Sequence, residues 1–442
     1  MTSTVTSFSR RLFKAISEVD TLRRIGSVTR VMPTFVEADG PAVPIGSLCE
    51  IGTAGTALAE VVGIEIGKVT LAPFTPVSSV RIGDPVCATR AKADVAVGRG
   101  LLGRVIDPLG RPLDGIKPLT ELDTSWPLEG VAVGPLKRAS PAVALPTGIR
   151  VLDTLLTLGV GQRAGIFAGS GVGKTTLMGG LARNIEADVC VLCLVGERGR
   201  EAEEFWHRTL SDTARARSTM IVATSDQPAI LRARSVLYAL CVAEYFRAQG
   251  AHVLLLLDSI TRYALALREI GLAAGEPPMI RGYTPSVFAA LPKVVERCGG
   301  LRSGGAITAL MTVLAETDEI DDPMAETMRA LLDGHIVLTR SLAEQGHYPA
   351  IDVPRSVSRV FQHVTSPAER ALASDVIAQL SAYEESKTLI ESGLYVAGTV
   401  PSLDRALAQR AGIIEFLRQD LSSNQSRKDA LATLDKLVRA KS

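Results

Sequence analysis

The chain reads as an α/β protein: a mostly parallel sheet built by strand–helix alternation, with a small all-β segment before it and helices alone after it. Three observations carry this. From about residue 94 to 363, short apolar runs such as AGIFA (164–168), VCVLCLV (189–195) and HVLLLLD (252–258) alternate with helical patterns, as βαβ units require. From 25 to 93 the text is instead short β-like runs broken by Gly and Pro, which fits a small barrel or a sandwich. After 364 only helix-like text remains, such as SPAERALASDVIAQLSAYEESKTLIESG.

The elements follow in chain order. Residues 7–24, SFSRRLFKAISEVDTLRR, place Phe8, Leu12, Ala15, Val19 and Leu22 at helical spacing, with Arg10, Arg11, Lys14, Arg23 and Arg24 making the other side basic. This amphipathic helix suits a partner or a membrane surface; packing on its own domain or a transit peptide are the alternatives, the latter weakened by Glu18 and Asp20. SVTRVM, FVEA, SLCEI, AEVVGIEI, KVTLAPF and DPVCAT are the strand candidates of the 25–93 domain. The 94–363 domain adds TMIVATS (219–225), AITALMTVLA (306–315) and HIVLTR (335–340). Residues 364–442 form a helical C-terminal domain.

Composition narrows the function. The 442 residues are 46% hydrophobic and 21% charged with a net charge of +1, so no broad basic field announces nucleic acid. No apolar run of membrane-spanning length occurs. Cys190 and Cys193 form a CxxC inside an apolar strand, where successive side chains alternate faces; together with Cys49, Cys87, Cys241 and Cys298 they read as buried thiols rather than a metal or redox site.

The strand AGIFA runs into GSGVGKTTLMGGLA. Ala168, Gly169, Ser170, Gly171, Val172, Gly173, Lys174, Thr175 and Thr176 fill a G-x-x-x-x-G-K-[ST] phosphate loop, with Ala168 in place of the first Gly. Glycines let the backbone N–H groups wrap the phosphates, Lys174 reaches the β- and γ-phosphates, and Thr175 coordinates Mg²⁺. Asp258 closes HVLLLLD at a strand's C-terminal end, where such sheets keep ligand residues, and can hold Mg²⁺ through water. LVGERGREAEEF (194–205) then delivers Glu197 at the tip of another strand of the sheet. Glu197 is placed to polarise a water for attack on the γ-phosphate, a reaction that needs positioning and charge stabilisation above all. Arg198 and Glu201 read as a supporting ion-pair network.

GSGVGKTTL, GERGREAEEF, TSDQPAILRARSVLYALCVAEYFRAQG, LLLLDSITRYALALREIGLAAGEPP, RGYTPSVFAALPKVVERCG and GHYPAIDVPRSVSRV together resemble the type III protein-export ATPases, relatives of the catalytic subunits of rotary ATP synthases. LLGRVIDPLGRPLDG (101–115) and TGIRVLDTLLTLGVGQR (147–163) extend the resemblance to about residues 26–420. It implies a β-barrel N-terminal domain, a RecA-like ATPase core, a helical C-terminal domain and a homohexameric ring that hydrolyses ATP with Mg²⁺. It also implies roles by position: Glu197 as catalytic carboxylate, Arg359 of SVSRV as an arginine finger entering the neighbouring subunit's site, and Tyr348 of HYPAID as the aromatic packing on adenine. PFTPVSSVRIGDPV (73–86) fits the family barrel only loosely, and the acidic loop of the synthase subunit is not evident in 366–442, which favours export over rotary synthesis.

RGYTPSVF and AEQGHYPAID incline the resemblance to the flagellar branch over the injectisome branch. Either implies a cytoplasmic protein docked peripherally on the export gate of the inner membrane. A stator-like negative regulator would grip the N-terminal helix, a coiled-coil stalk would sit in the ring, and chaperone–substrate complexes would reach the C-terminal domain. Two rivals are a rotary-synthase subunit and a hexameric RNA translocase. The translocase should interleave aromatics with basic residues in its N-terminal domain; residues 25–93 offer only Phe35 and Phe74 and no basic cluster.

Overall fold

Six short strands close into a barrel: β1 (Ile25–Val31), β2 (Val36–Ala38), β3 (Leu48–Ile51), β4 (Ala57–Glu65), β5 (Lys68–Pro73) and β6 (Pro85–Ala88). This computed structural model describes residues 25–439 apart from 54, 56, 90–93, 117, 123, 315–321 and 421–422; the expected helix at 7–24 lies outside the described residues. The pairing order β1-β2-β5-β4-β3-β6 returns on itself, which settles barrel against sandwich and leaves no open sheet edge. Alternation does the sorting: Ala57, Ala59 and Val61 of β4 are buried while their neighbours stay partly exposed. Val36, Ile51, Leu71 and Val86 complete the barrel's core with Val28. The chain divides into two compact units, residues up to 93 with Ile270–Glu276, and Asp94–Glu269 with Pro277–Ser442.

The second unit is built on a ten-stranded sheet whose main run is β7 (Arg104–Ile106), β8 (Arg163–Ala168), β9 (Val189–Glu197), β10 (Ser218–Thr224), β11 (His252–Asp258), β12 (Ala306–Leu314), β13 (Gly334–Leu338) and β14 (Val357–Ser358); Arg138–Ala139 and Gly299–Leu301 add two short antiparallel strands beside β12. The main run has the order β14-β13-β8-β12-β11-β9-β10-β7. Its neighbours are parallel except that β14 is antiparallel to β13. Every residue of β9 is buried, so this strand reads as a continuous apolar run rather than an alternating one. The expected strand at 335–340 stops at Leu338, because Thr339 takes the N-cap position of a short helix that starts at Arg340. The edge strands β7 and β14 are too short to show any period in sequence.

Parallel pairing has a direct consequence for function. Leu194 lies opposite Asp258, Leu257 opposite Met311 and Ala168 opposite Leu314. The carboxyl ends of β8, β11 and β9 therefore open on one edge, carrying Ala168, Asp258 and Glu197, the place where ligands bind on such sheets.

Helix α1 (Lys174–Asn184) follows β8, and α2 (Ile260–Ala273) follows β11. Beyond residue 364 come α3 (Pro367–Glu391), α4 (Pro401–Leu417) and α5 (Arg427–Arg439). Ser366 and Glu369 form a reciprocal capping box that starts α3, with Pro367 in the first turn, which satisfies N–H groups that otherwise lack intrahelical partners. Glu369 also pairs with Arg427 of α5 at 2.8 Å. Ala373, Val376, Ile413, Phe416, Leu417 and Leu434 of these helices join the apolar cluster that contains Leu192, Leu254 and Ile336 of the sheet. Among the described residues, no helix is long and apolar enough to cross a membrane.

Candidate active site

The loop from Gly169 to Gly173 connects β8 to α1 through two glycines with positive φ, Gly171 at 78° and Gly173 at 88°. That left-handed backbone turns the chain tightly enough to leave the α1 N-terminus open for an anion. Gly173 is needed a second time, because a Cβ there would meet the Tyr348 ring at 3.3 Å. Val172 is buried and anchors the loop, whereas Ser170, Thr175 and Thr176 are exposed.

Three charged groups converge at the sheet edge. Lys174 Nζ lies 2.6 Å from Asp258 Oδ1 and 3.7 Å from Glu197 Oε1. Both carboxylates are nearly excluded from solvent, Asp258 at 4% and Glu197 at 6% exposure. The Thr312 hydroxyl of β12 donates to the same Asp258 Oδ1 at 2.7 Å. Arg262, in the first turn of α2, pairs with Glu197 Oε2 at 2.9 Å and donates to the Gly196 carbonyl.

The local backbone explains how a buried strand presents a carboxylate. The β9–β10 register shifts between Val195 and Glu197, and Gly196 takes φ 66°. Such a bulge bends the strand and re-aims the following side chain. A Cβ on Gly196 would sit 3.2 Å from Arg262 Cδ, so the glycine also makes room for the arginine that holds Glu197.

Burial, then the adjacent Asp258 carboxylate and contact with Glu201, push the Glu197 carboxyl up to about 7, against the opposing pull of Lys174 and Arg262. A carboxyl tuned near neutrality is suited to general-base work. A base must be ionised to act, so kcat/KM for nucleotide hydrolysis should climb as pH rises through about 7 and level off above it. A pH profile flat from pH 6 to 8.5 would remove Glu197 from the rate-determining ionisation.

The remaining residues singled out from sequence fall in two groups. Tyr348 lies against the phosphate loop with its side chain partly exposed. Arg198 and Arg359 do not join the cluster. Arg198 is exposed and pairs with Glu201 at 3.4 Å, so it reaches Glu197 only through that neighbour. Arg359 is exposed at the opposite end of the sheet, where its N–H donates to the Asp333 carbonyl and its side chain to the Arg329 carbonyl at 3.0 Å. Arg262 and Thr312 were not foreseen. Their signals are a cation one helical turn beyond Asp258 in DSITRYA, and a hydroxyl interrupting the apolar strand AITALMTVL.

Thr175 and Asp258 together supply hydroxyl and carboxylate oxygens, a donor set that suits a hard cation such as Mg²⁺. A phosphate loop, a strand-terminal carboxylate and a second, solvent-excluded carboxylate of raised pKa define a P-loop nucleotide hydrolase.

Comparison with known proteins gives the particular family. Residues 148–358 match the ATP synthase alpha/beta family, nucleotide-binding domain, and residues 365–436 match the T3SS EscN ATPase C-terminal domain. The chain is 44% identical to the flagellum-specific ATP synthase of Bacillus subtilis over 97% of its own length and 99% of that protein's. It is 48% identical to the SPI-2 type 3 secretion system ATPase of Salmonella typhimurium over 90% of each chain. The assembled ATPase EscN of the enteropathogenic E. coli type III secretion system superposes with a TM-score of 0.90 at 40% identity, covering 93% of this chain and all of that one. The chain belongs to the family of flagellum-specific and type III secretion ATPases, and it is an ATPase.

Proposed function

We propose that this ATPase drives a bacterial type III protein export apparatus of the flagellar kind. The observation that carries the reading is the convergence of Glu197 and Asp258 on Lys174 beside the phosphate loop, in a chain related along its length to flagellum-specific ATP synthases. A second reading, an injectisome ATPase, is favoured by the 48% identity to the SPI-2 enzyme.

In this reading the N–H groups of residues 169–176 bind the ATP phosphates, and Lys174 exchanges its carboxylate partners for the β- and γ-phosphates. Thr175 and Asp258 would hold Mg²⁺, which neutralises phosphate charge when bound. Glu197, held by Arg262, takes a proton from a water whose oxygen bonds to the γ-phosphorus; the bond from that phosphorus to the β-phosphate oxygen breaks, and ADP and inorganic phosphate leave. Arg198 supports Glu197 through Glu201, and Tyr348 packs on the adenine. Arg359 completes the site of the adjacent subunit in a homohexamer.

The assignment of parts follows the chain. Residues 25–93 are the barrel domain, 94–363 the ATPase domain and 364–442 the C-terminal domain that receives chaperone–substrate complexes. Residues 1–24 bind a stator-like negative regulator. The complex of EscN with its central stalk EscO supports a coiled-coil stalk as a further partner. We place the ring in the cytoplasm, peripherally on the export-gate proteins of the inner membrane.

Deleting the gene from a flagellated host should abolish filament assembly and swimming. The parent chain should restore both and Lys174→Ala neither. Normal swimming with lost effector secretion would move the protein to the injectisome branch instead.

A further inference from the structure

Gln419 follows α4 and is only 5% exposed, yet both polar atoms of its amide are engaged. Oε1 accepts from the Arg150 N–H at 2.8 Å. Nε2 donates to the Gly148 carbonyl at 2.8 Å and to the Ser423 carbonyl at 3.1 Å. Its backbone N–H donates to the Tyr348 carbonyl at 2.9 Å. Arg150 adds a side-chain bond to the Arg418 carbonyl. One residue thus ties the segment 148–150, the Tyr348 loop and the chain leaving α4. A buried amide satisfied on every side holds its partners in a single arrangement, and removing it orphans the buried Gly148 carbonyl and takes a partner from the half-buried Arg150 N–H.

The Tyr348 end of this clasp lies against the phosphate loop. Its ring atoms Cε1 and Cδ1 lie 3.3 and 3.4 Å from the position a Gly173 Cβ would take, while 44% of the residue remains exposed. The ring is therefore supported on one side by the phosphate loop and open for a flat ligand. The hydrogen bonds of Gln419 go to Arg150, Gly148, Ser423 and Tyr348, and none of these is Lys174, Glu197 or Asp258.

We propose that Gln419 is a positioning residue for the nucleobase: it fixes the Tyr348 backbone, and so the height of the ring beside the phosphate loop. It sets affinity for the base end of ATP and leaves the phosphate chemistry alone. The proposal rests on the reading of Tyr348 as the base-packing aromatic.

Steady-state ATP hydrolysis by the full chain, with inorganic tripolyphosphate as a competitor that has phosphates but no base, tests it. Gln419→Met, matched in length, keeps the backbone N–H bond to the Tyr348 carbonyl but loses the side-chain bonds to Arg150, Gly148 and Ser423 that hold that backbone in place; it should raise KM for ATP on the order of tenfold and leave kcat within about twofold. The inhibition constant of tripolyphosphate should not move. In a Tyr348→Ala background Gln419→Met should add nothing further to KM, because contributions that act through one contact do not add. A full additive effect, an equal fall in kcat, or weakened tripolyphosphate binding would overturn the proposal. If Tyr348→Ala raises KM and Gln419→Met does not, the role of Gln419 alone fails. If Tyr348→Ala leaves KM unchanged, the base-packing reading fails and takes this proposal with it. Should Gln419→Met not fold, Gln419→Glu keeps the acceptor for the Arg150 amide and should shift KM in the same direction by less; an unchanged KM would again overturn the role.

Discussion

Glu197→Gln should bind ADP as the parent chain does and hydrolyse ATP at least about a hundredfold more slowly. The substitution keeps the size and planarity of the side chain, and its carbonyl oxygen can still accept from Arg262, which lies 2.9 Å from Glu197 Oε2. Lys174 keeps its shorter contact, 2.6 Å to Asp258, so the phosphate loop is undisturbed. What disappears is the negative charge that draws a proton of the attacking water. A positioned general base contributes typically 10²–10⁴ in rate, about 3–5 kcal/mol of barrier at 1.36 kcal/mol per tenfold. Nucleotide affinity and turnover measured on the same preparation separate the two effects. Near-normal turnover would return Glu197 to a structural carboxylate that merely neutralises Arg262.

The second large effect is expected at Arg359, and here the sheet supplies the argument. Ser358 pairs with Gly334 at the start of β13, and the Arg359 N–H donates to the Asp333 carbonyl. The Asp333 carboxylate grips Arg163, the first residue of β8. The phosphate loop begins at the other end of that strand, after Ala168. At about 3.3 Å per residue, the five steps between them span roughly 16 Å, beyond the reach of an arginine side chain. Arg359 therefore cannot serve its own phosphates, but it is exposed and available to a neighbour's. An arginine finger is worth on the order of 10³–10⁵ in rate, roughly 4–7 kcal/mol. Arg359→Ala should assemble, bind nucleotide and lose activity on that scale.

How legible was this in the sequence? The residues that mark the end of an apolar run were readable. The phosphate loop, Asp258 and Glu197 each end an apolar run, and parallel pairing alone brings such ends to one edge. Arg262 was missed because its partner Glu197 is on another strand, and only the β9–β11 pairing brings β11, and the helix that follows it, beside Glu197. Thr312 was missed for the same reason, its partner Asp258 being on the adjacent strand. Gln419 had no signal at all: a glutamine after an amphipathic helix is ordinarily solvated, and its partners at 148–150 and 348 are distant in sequence. Closure of the barrel depends on the β1–β6 pair, a contact between the ends of the segment that no local pattern announces. The C-terminal helices were visible as helices, but their sharing of the sheet's apolar cluster was not.

The central claim is that each active site is completed by Arg359 of the adjacent subunit, and mixing two inactive variants tests it most directly. Lys174→Ala lacks a working phosphate loop and Arg359→Ala lacks the finger. Neither ring alone contains an interface with both parts. Mixed rings contain some interfaces that pair the intact loop of one variant with the intact finger of the other. Hydrolysis should therefore reappear on mixing, and parent activity per mole should rise with protein concentration as subunits associate. Mixtures that stay as inactive as their components, with specific activity of the parent flat across concentration, would contradict the shared site and leave Arg359 as a brace for the Arg329 carbonyl.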